Sequence, residues 1–458
     1  MLKLFEYDIE KQVTKMVEKN SQNIQLFLII FMVNLLIFGQ KLFFYTVISD
    51  DYMRFYGDHN TKLLVTNSAR WAQALLNKYL FIGNLQILPY LHGIVGIFSI
   101  TLMGYLTAKY FERKKKYEIV IATLLISATP MFAHNLLFST NITTWLSLLL
   151  GLIGFFMIEK GGKVNGIIGF VLMVFSIGNY QTFIQIIIVM IFIKAILKLF
   201  RAETKQDIKK IIIHAIFLLL LLVFAYILSF LINDIFLYYH HWHKEHRLAI
   251  AIHNSNLTTL FENIVNTYST FINFNYFKKQ LDVLYGLSAI LALLGSLFFI
   301  LNRSIVKSSK IIIFVLILFL FFVTPLVVNL PQILGVNIPI RAHIAVGWGI
   351  SGFFALQMQT LKNFFKMFAY LLALSILVVS IYYISVLYDV ANRQTQADII
   401  RANMVVERIR TSNNYVDEPI GFYILGQKQN SVIGWKNLMF QQPFNSKWAK
   451  YKIFRYFT

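Results

Sequence analysis

Two adjacent carboxylates, Asp50 and Asp51, stand where the first long apolar run of the chain ends, and Arg54 follows three and four residues on. An acid pair at such an edge suits chemistry at an interface. One carboxylate takes a proton from an alcohol while cations hold a phosphate that leaves with added charge. Transfer of a sugar from a lipid phosphate to a hydroxyl needs those parts and no general acid, because the phosphate ester is already a good leaving group. Arg54 is within reach of both acids if the segment is helical. Asp50 also fits a plainer use, capping a helix and favouring its N-terminal dipole. Asp417-Glu418 is a like pair and reads as a solvated turn before Pro419.

Arg70-Trp71 and Arg341-Ala342-His343 offer guanidinium groups that grip phosphate bidentately. Their plainer reading is snorkelling towards lipid headgroups. Asn179-Tyr180-Gln181 follows Gly178 in a tight turn, where amide and phenol groups can hydrogen-bond sugar hydroxyls; a Gly-Asn turn with an aromatic-belt Tyr is also an ordinary membrane feature. The run from His240 to His246 invites a metal, but its spacing matches no H-E-x-x-H arrangement and Lys244 and Arg247 repel a cation. An aromatic and cationic loop against headgroups or glycan is the stronger reading there, and a divalent cation shared by His and Asp stays open.

The elements that hold these residues are set by composition. With 57% apolar residues, 43 Phe, 7 Pro and 14% charged residues, the chain belongs to the membrane class. Runs long enough to span recur at 24 to 44, 85 to 108, 118 to 138, 142 to 158, 164 to 178, 182 to 199, 211 to 232, 281 to 301, 311 to 328, 342 to 358 and 364 to 387. That predicts an all-α polytopic fold of about 11 transmembrane helices. Lys and Arg crowd every second loop, as at Arg113 to Lys116, Lys160 and Lys163, Arg201 to Lys210, Arg303 to Lys310, and Lys362 and Lys366. By the positive-inside rule those loops and the N-terminus are cytoplasmic, and Asp50, Asp51 and the C-terminus are outside.

Residues 1 to 23 read as a cytoplasmic amphipathic helix, residues 24 to 388 as the membrane domain, and residues 389 to 458 as an extracytoplasmic α+β domain. The outer loops of the membrane domain are 45 to 84 and 233 to 280. The spacing of Leu63, Leu64, Leu75, Leu76 and Leu80 predicts a helix lying in the interface. In the tail, a helix over 393 to 411 precedes a strand-like 420 to 425. Topology explains much of the net charge of +21, so it indicates no nucleic-acid partner. The absence of Cys excludes disulfides and thiolate metal sites.

Ser49-Asp50-Asp51-Tyr52, Ala69-Arg70-Trp71 and Gly178-Asn179-Tyr180-Gln181, in that order and placement, resemble the Gtr-type glucosyltransferase family, within the GT-C class of membrane glycosyltransferases. The resemblance implies a polyprenyl-phosphate-linked sugar donor, an acceptor hydroxyl on a surface polysaccharide or wall polymer, and an inverting single displacement. It places the reaction on the outer face of the bacterial cytoplasmic membrane, downstream of a donor synthase and a flippase. Asp50 or Asp51 is then the catalytic carboxylate, Arg70 a phosphate partner, and Tyr180 and Gln181 part of the substrate cavity. The family label is no reason to prefer glucose over another hexose or an N-acetylhexosamine. Two other readings compete. A flippase or transporter of lipid-linked glycans predicts buried charge at mid-membrane and two similar halves. A polysaccharide polymerase predicts chain growth in place of transfer of one sugar.

Overall fold

The structure, a computed structural model, describes residues 21–43, 59–80, 89–138, 142–243, 257–272, 279–303, 307–333 and 343–411. Among the described residues helix forms wherever the sequence is apolar, because within a membrane only a helix or a closed barrel satisfies its own backbone groups. Helices α1 (Ser21–Ile37) and α2 (Gly39–Phe43) occupy the first apolar run, and α3 (His59–Ser68) and α4 (Trp71–Leu80) the loop after it. Next come α5 (Pro89–Tyr110), α6 (Lys116–Ser127), α7 (Pro130–Leu136), α8 (Ile142–Lys160), α9 (Lys163–Asn179), α10 (Phe183–Leu199) and α11 (Lys205–Tyr239). They are followed by α12 (Leu257–Ile272), α13 (Lys279–Leu301), α14 (Lys307–Val328), α15 (Leu330–Ile333), α16 (Ala345–Thr360) and α17 (Asn363–Arg410). No strand occurs among the described residues.

The described parts of the eleven apolar runs are mostly helical, but fewer helices qualify as crossings by length and composition. Among the described residues six helices are long and apolar enough to cross a membrane, or seven if α6 and α7, bent by 53° at their junction, count as one. The bend sits at Ala128-Thr129, where Pro130 starts a new helix because it has no N–H to continue the old one. Helices α1, α9, α10 and α16 are only 16 or 17 residues long.

Burial separates core helices from lipid-facing ones. Most side chains of α10 and α16 are buried, whereas α11, α13 and α14 expose large apolar side chains such as Phe224, Leu294 and Phe319, the pattern of a surface facing hydrocarbon. The tightest packing joins α8 to α9. A Cβ on Gly154 would meet the Gly169 carbonyl oxygen, and one on Gly169 would meet that of Gly154, so the two backbones touch. Small residues permit this approach, which replaces the missing hydrophobic drive between helices in lipid.

Two sequence expectations are corrected. The run 364 to 387 and the helix expected over 393 to 411 are not separate: both lie on α17, continuous for 48 residues, roughly 72 Å at 1.5 Å per residue. Its sequence has neither Gly nor Pro to break it, and the Asp389–Arg393 pair supports the stretch just past the apolar run. The first loop is not one helix lying on an interface but two, with Trp71, Ala72, Gln73, Ala74 and Asn77 of α4 buried. The strand-like 420 to 425 and residues 1 to 20 lie outside the described residues.

At the bundle end that carries the basic loops, α5 terminates with Glu112 in the left-handed region, φ +62°, and the Arg113 N–H closes back on Ala108 O at 3.2 Å. Glutamate has no intrinsic preference for that conformation. Cations hold it there: Lys194 Nζ lies 2.8 Å from one Glu112 oxygen, and Arg201 pairs with the other. Arg303 donates to the Phe200 and Ala202 carbonyls at 2.6 and 2.9 Å, tying the next loop to the same end.

Candidate functional site

Two of the segments singled out by the sequence, around Arg70 and around Tyr180, meet at the opposite end. Helix α3 ends at Ser68, and the chain turns through Ala69 at φ +51°, a left-handed conformation that costs a residue with a Cβ about 1–2 kcal/mol. The turn is held from two sides. The Arg70 N–H donates to Leu64 O at 2.9 Å, and Gln181 Nε2 donates to Ser68 O at 2.6 Å and to Ala69 O at 3.3 Å. Through this kink the Arg70 guanidinium comes to lie 4.7 Å from the centre of the Tyr180 ring, a cation–π contact.

Trp71 enters the space that Gly178 leaves open, since a Cβ there would overlap the indole, and its Nε1 donates to Ser229 Oγ at 3.1 Å. Residues 68–71 and 178–181 therefore form one packed unit, although more than 100 positions separate them in sequence. Gln181 and Trp71 direct their N–H groups into this scaffold. Arg70 is the member whose charge lies beside the turn.

Between Gly178 and Tyr180, Asn179 is fully buried, and neither its amide nitrogen nor its oxygen has a hydrogen-bond partner among the described residues. It has company. Gln73 Nε2 and both polar atoms of Asn77 on α4, Thr143, Thr144 and Ser147 on the first turns of α8, and Thr182 and Gln185 Oε1 beside the start of α10 are in the same condition. Each such group costs roughly 1–3 kcal/mol if left unmade, so their gathering marks a place completed by water or a polar ligand. The buried amide of Asn34, by contrast, is satisfied: it donates to Thr101 Oγ1 at 2.9 Å and accepts from Ser127 Oγ at 3.0 Å. The unsatisfied set is uncharged and rich in amides and hydroxyls, which matches sugar hydroxyls in donor and acceptor capacity.

Two ionisable residues at this end escaped the sequence reading. Lys41, in α2, is fully buried, and its Nζ donates to Leu137 O at 3.3 Å, just past the end of α7. His92, in the first turn of α5, is also buried, lies against the Leu136 backbone and in the field of Lys41, and makes no well-formed hydrogen bond with either ring nitrogen among the described residues. The signal available was their class: an ionisable side chain inside an apolar run is functional by default.

Asp50, Asp51, Arg54 and Arg341 lie outside the described residues. His343 is buried apart from the Arg70–Tyr180 unit, with Nδ1 3.4 Å from Val328 O at the end of α14. In the histidine run, His240 stacks on Trp242 with ring centres 4.6 Å apart, and residues 244 to 246 lie outside the described residues. No group of three His, Asp or Glu side chains able to hold a metal comes together among the described residues.

The family model for glucosyl transferase GtrII matches residues 40–356, which include α2 through most of α16 and all of the residues described at this end up to His343. No curated protein and no solved structure matches the chain.

Proposed function

Because the chain belongs to the glucosyl transferase GtrII family, a membrane glycosyltransferase, we propose that it moves one hexose or N-acetylhexosamine from polyprenyl phosphate to a hydroxyl of a surface polysaccharide or wall polymer. The observation that carries this reading is the set of buried, uncharged side chains with unpartnered polar atoms around Asn179, next to the Arg70 guanidinium. That combination suits a ligand with a neutral polyol part and an anionic part.

In the proposed reaction Asp50 or Asp51 accepts the acceptor's hydroxyl proton as its oxygen attacks C1 of the sugar. The C1–O bond to phosphate breaks on the opposite face, its electron pair stays on the phosphate oxygen, and the configuration at C1 inverts. Arg70 offsets the charge that develops on phosphate. Arg54, Arg341 and His343 are further candidates for that end of the donor, and Asn179, Tyr180 and Gln181 for the sugar. The chain crosses a bacterial cytoplasmic membrane eleven times, in the GT-C manner, with the N-terminus inside and both the site and the C-terminal domain outside. Positive charge in alternate loops supports this orientation.

The test uses purified protein in lipid vesicles with isolated wall polymer and either a hexosyl polyprenyl phosphate or a nucleotide hexose. Expected is release of polyprenyl phosphate with one sugar added per acceptor site, and no reaction with the nucleotide sugar. Turnover of the nucleotide sugar alone would overturn the donor assignment. Movement of intact lipid-linked sugar across the bilayer would favour a flippase, and growing chains a polymerase.

A further inference from the structure

The uncharged cluster around Asn179 is poorly suited to phosphate, so the anionic part of the donor requires cationic groups in an adjoining place. Arg70 borders the cluster. A Cβ on Gly96, one turn below His92 on α5, would meet both Leu136 of α7 and Trp145 of α8, whose neighbours Thr144 and Ser147 belong to the unpartnered set. Lys41 and His92 lie against the same end of α7, Lys41 donating to Leu137 O and His92 beside the Leu136 backbone. Lys41 is fully buried, so its ammonium is a full positive charge held inside this end of the bundle. His92 is buried beside the Leu136 backbone, with no well-formed hydrogen bond to either ring nitrogen among the described residues.

We propose that Lys41 and His92 bind the phosphate of the lipid-linked donor and hold it as the C1–O bond breaks. The assignment rests on the lipid-phosphate reading above and adds the residues that receive the leaving group. The ammonium supplies full charge and the imidazole N–H a directed hydrogen bond, both in a water-poor setting where charge-assisted bonds are strongest. A structural role for Lys41 is also on the page, since its Nζ caps the carbonyl of Leu137. The experiment therefore has to read phosphate recognition and not stability.

Binding of a short-chain polyprenyl phosphate and of the corresponding polyprenol, which lacks the phosphate, is measured for the full-length protein in detergent. The wild type should prefer the phosphate. Lys41→Met and His92→Gln should each weaken phosphate binding about 10- to 100-fold, the worth of one charge-assisted hydrogen bond, and leave polyprenol binding unchanged. Lys41→Arg should retain most of the preference. If Lys41→Met lowers the melting temperature, Lys41→Arg and His92→Gln decide the matter. A folded His92→Gln or Lys41→Met protein with the full wild-type preference would overturn the assignment. A wild type that does not distinguish phosphate from alcohol would overturn the lipid-phosphate donor itself, and the assignment with it.

Discussion

Replacing the catalytic member of Asp50 and Asp51 with Asn is expected to lower the transfer rate about 10²- to 10⁴-fold, the usual worth of a positioned general base. Asn keeps the size of the side chain and removes the proton acceptor. The melting temperature should therefore stay within a few degrees of wild type while turnover collapses. The other aspartate, if it caps a helix and does no chemistry, should lose far less: an Asn is as good a cap as an Asp. The pair of single variants thus separates the base from its neighbour in one rate measurement. Retention of full activity by both would remove the base assignment altogether.

The second large effect concerns stability at the opposite end. Glu112→Gln should cost about 2–3 kcal/mol, because it leaves Lys194, whose side chain is only 14% exposed, without the carboxylate that compensates its charge. The cost falls short of the fully buried case because Arg201 is more than half exposed and water screens its share. Burial by itself would raise the Glu112 carboxyl, but Lys194 and Arg201 outweigh it and hold the group below its ordinary value. The sign of the pH dependence follows. The stabilisation is complete above the ordinary carboxylate range, about pH 4.3, and fades as pH falls through the depressed value. Wild type and Glu112→Gln should therefore differ in thermal stability at neutral pH and converge in acid. A difference that instead grew on acidification would contradict the ion-pair account.

Much of the helical order was legible because the apolar runs are long and Gly and Pro are scarce within them. The run 142 to 158, for example, appears almost unchanged as α8, and the described part of the run 85 to 108 lies wholly in α5. Alternating loop charge was equally readable, since it depends on composition and not on contacts. The pairing of Ala69-Arg70-Trp71 with Gly178-Asn179-Tyr180-Gln181 was suggested only by resemblance. Its physical basis, a left-handed alanine clamped by a distant amide, needs coordinates. Lys41 and His92 were hidden for a different reason: each is an ionisable letter inside a run whose average reads as hydrocarbon. The continuity of the last helix was not legible because polarity changes at 388 but helix propensity does not, and a helix continues past its apolar stretch when nothing in its sequence stops it.

Everything proposed for the chemistry requires that the Arg70–Asn179 end face outward, and sidedness is directly measurable because the natural chain contains no Cys. Tyr79, 71% exposed on α4 beside the site, and Lys116, exposed at the other end of the bundle, are replaced one at a time by Cys. Intact cells are then treated with a membrane-impermeant maleimide. The expected result is labelling of Tyr79→Cys in intact cells and of Lys116→Cys only after permeabilisation. The reverse pattern would put the site in the cytosol, where lipid-linked sugar on the outer leaflet could not reach it.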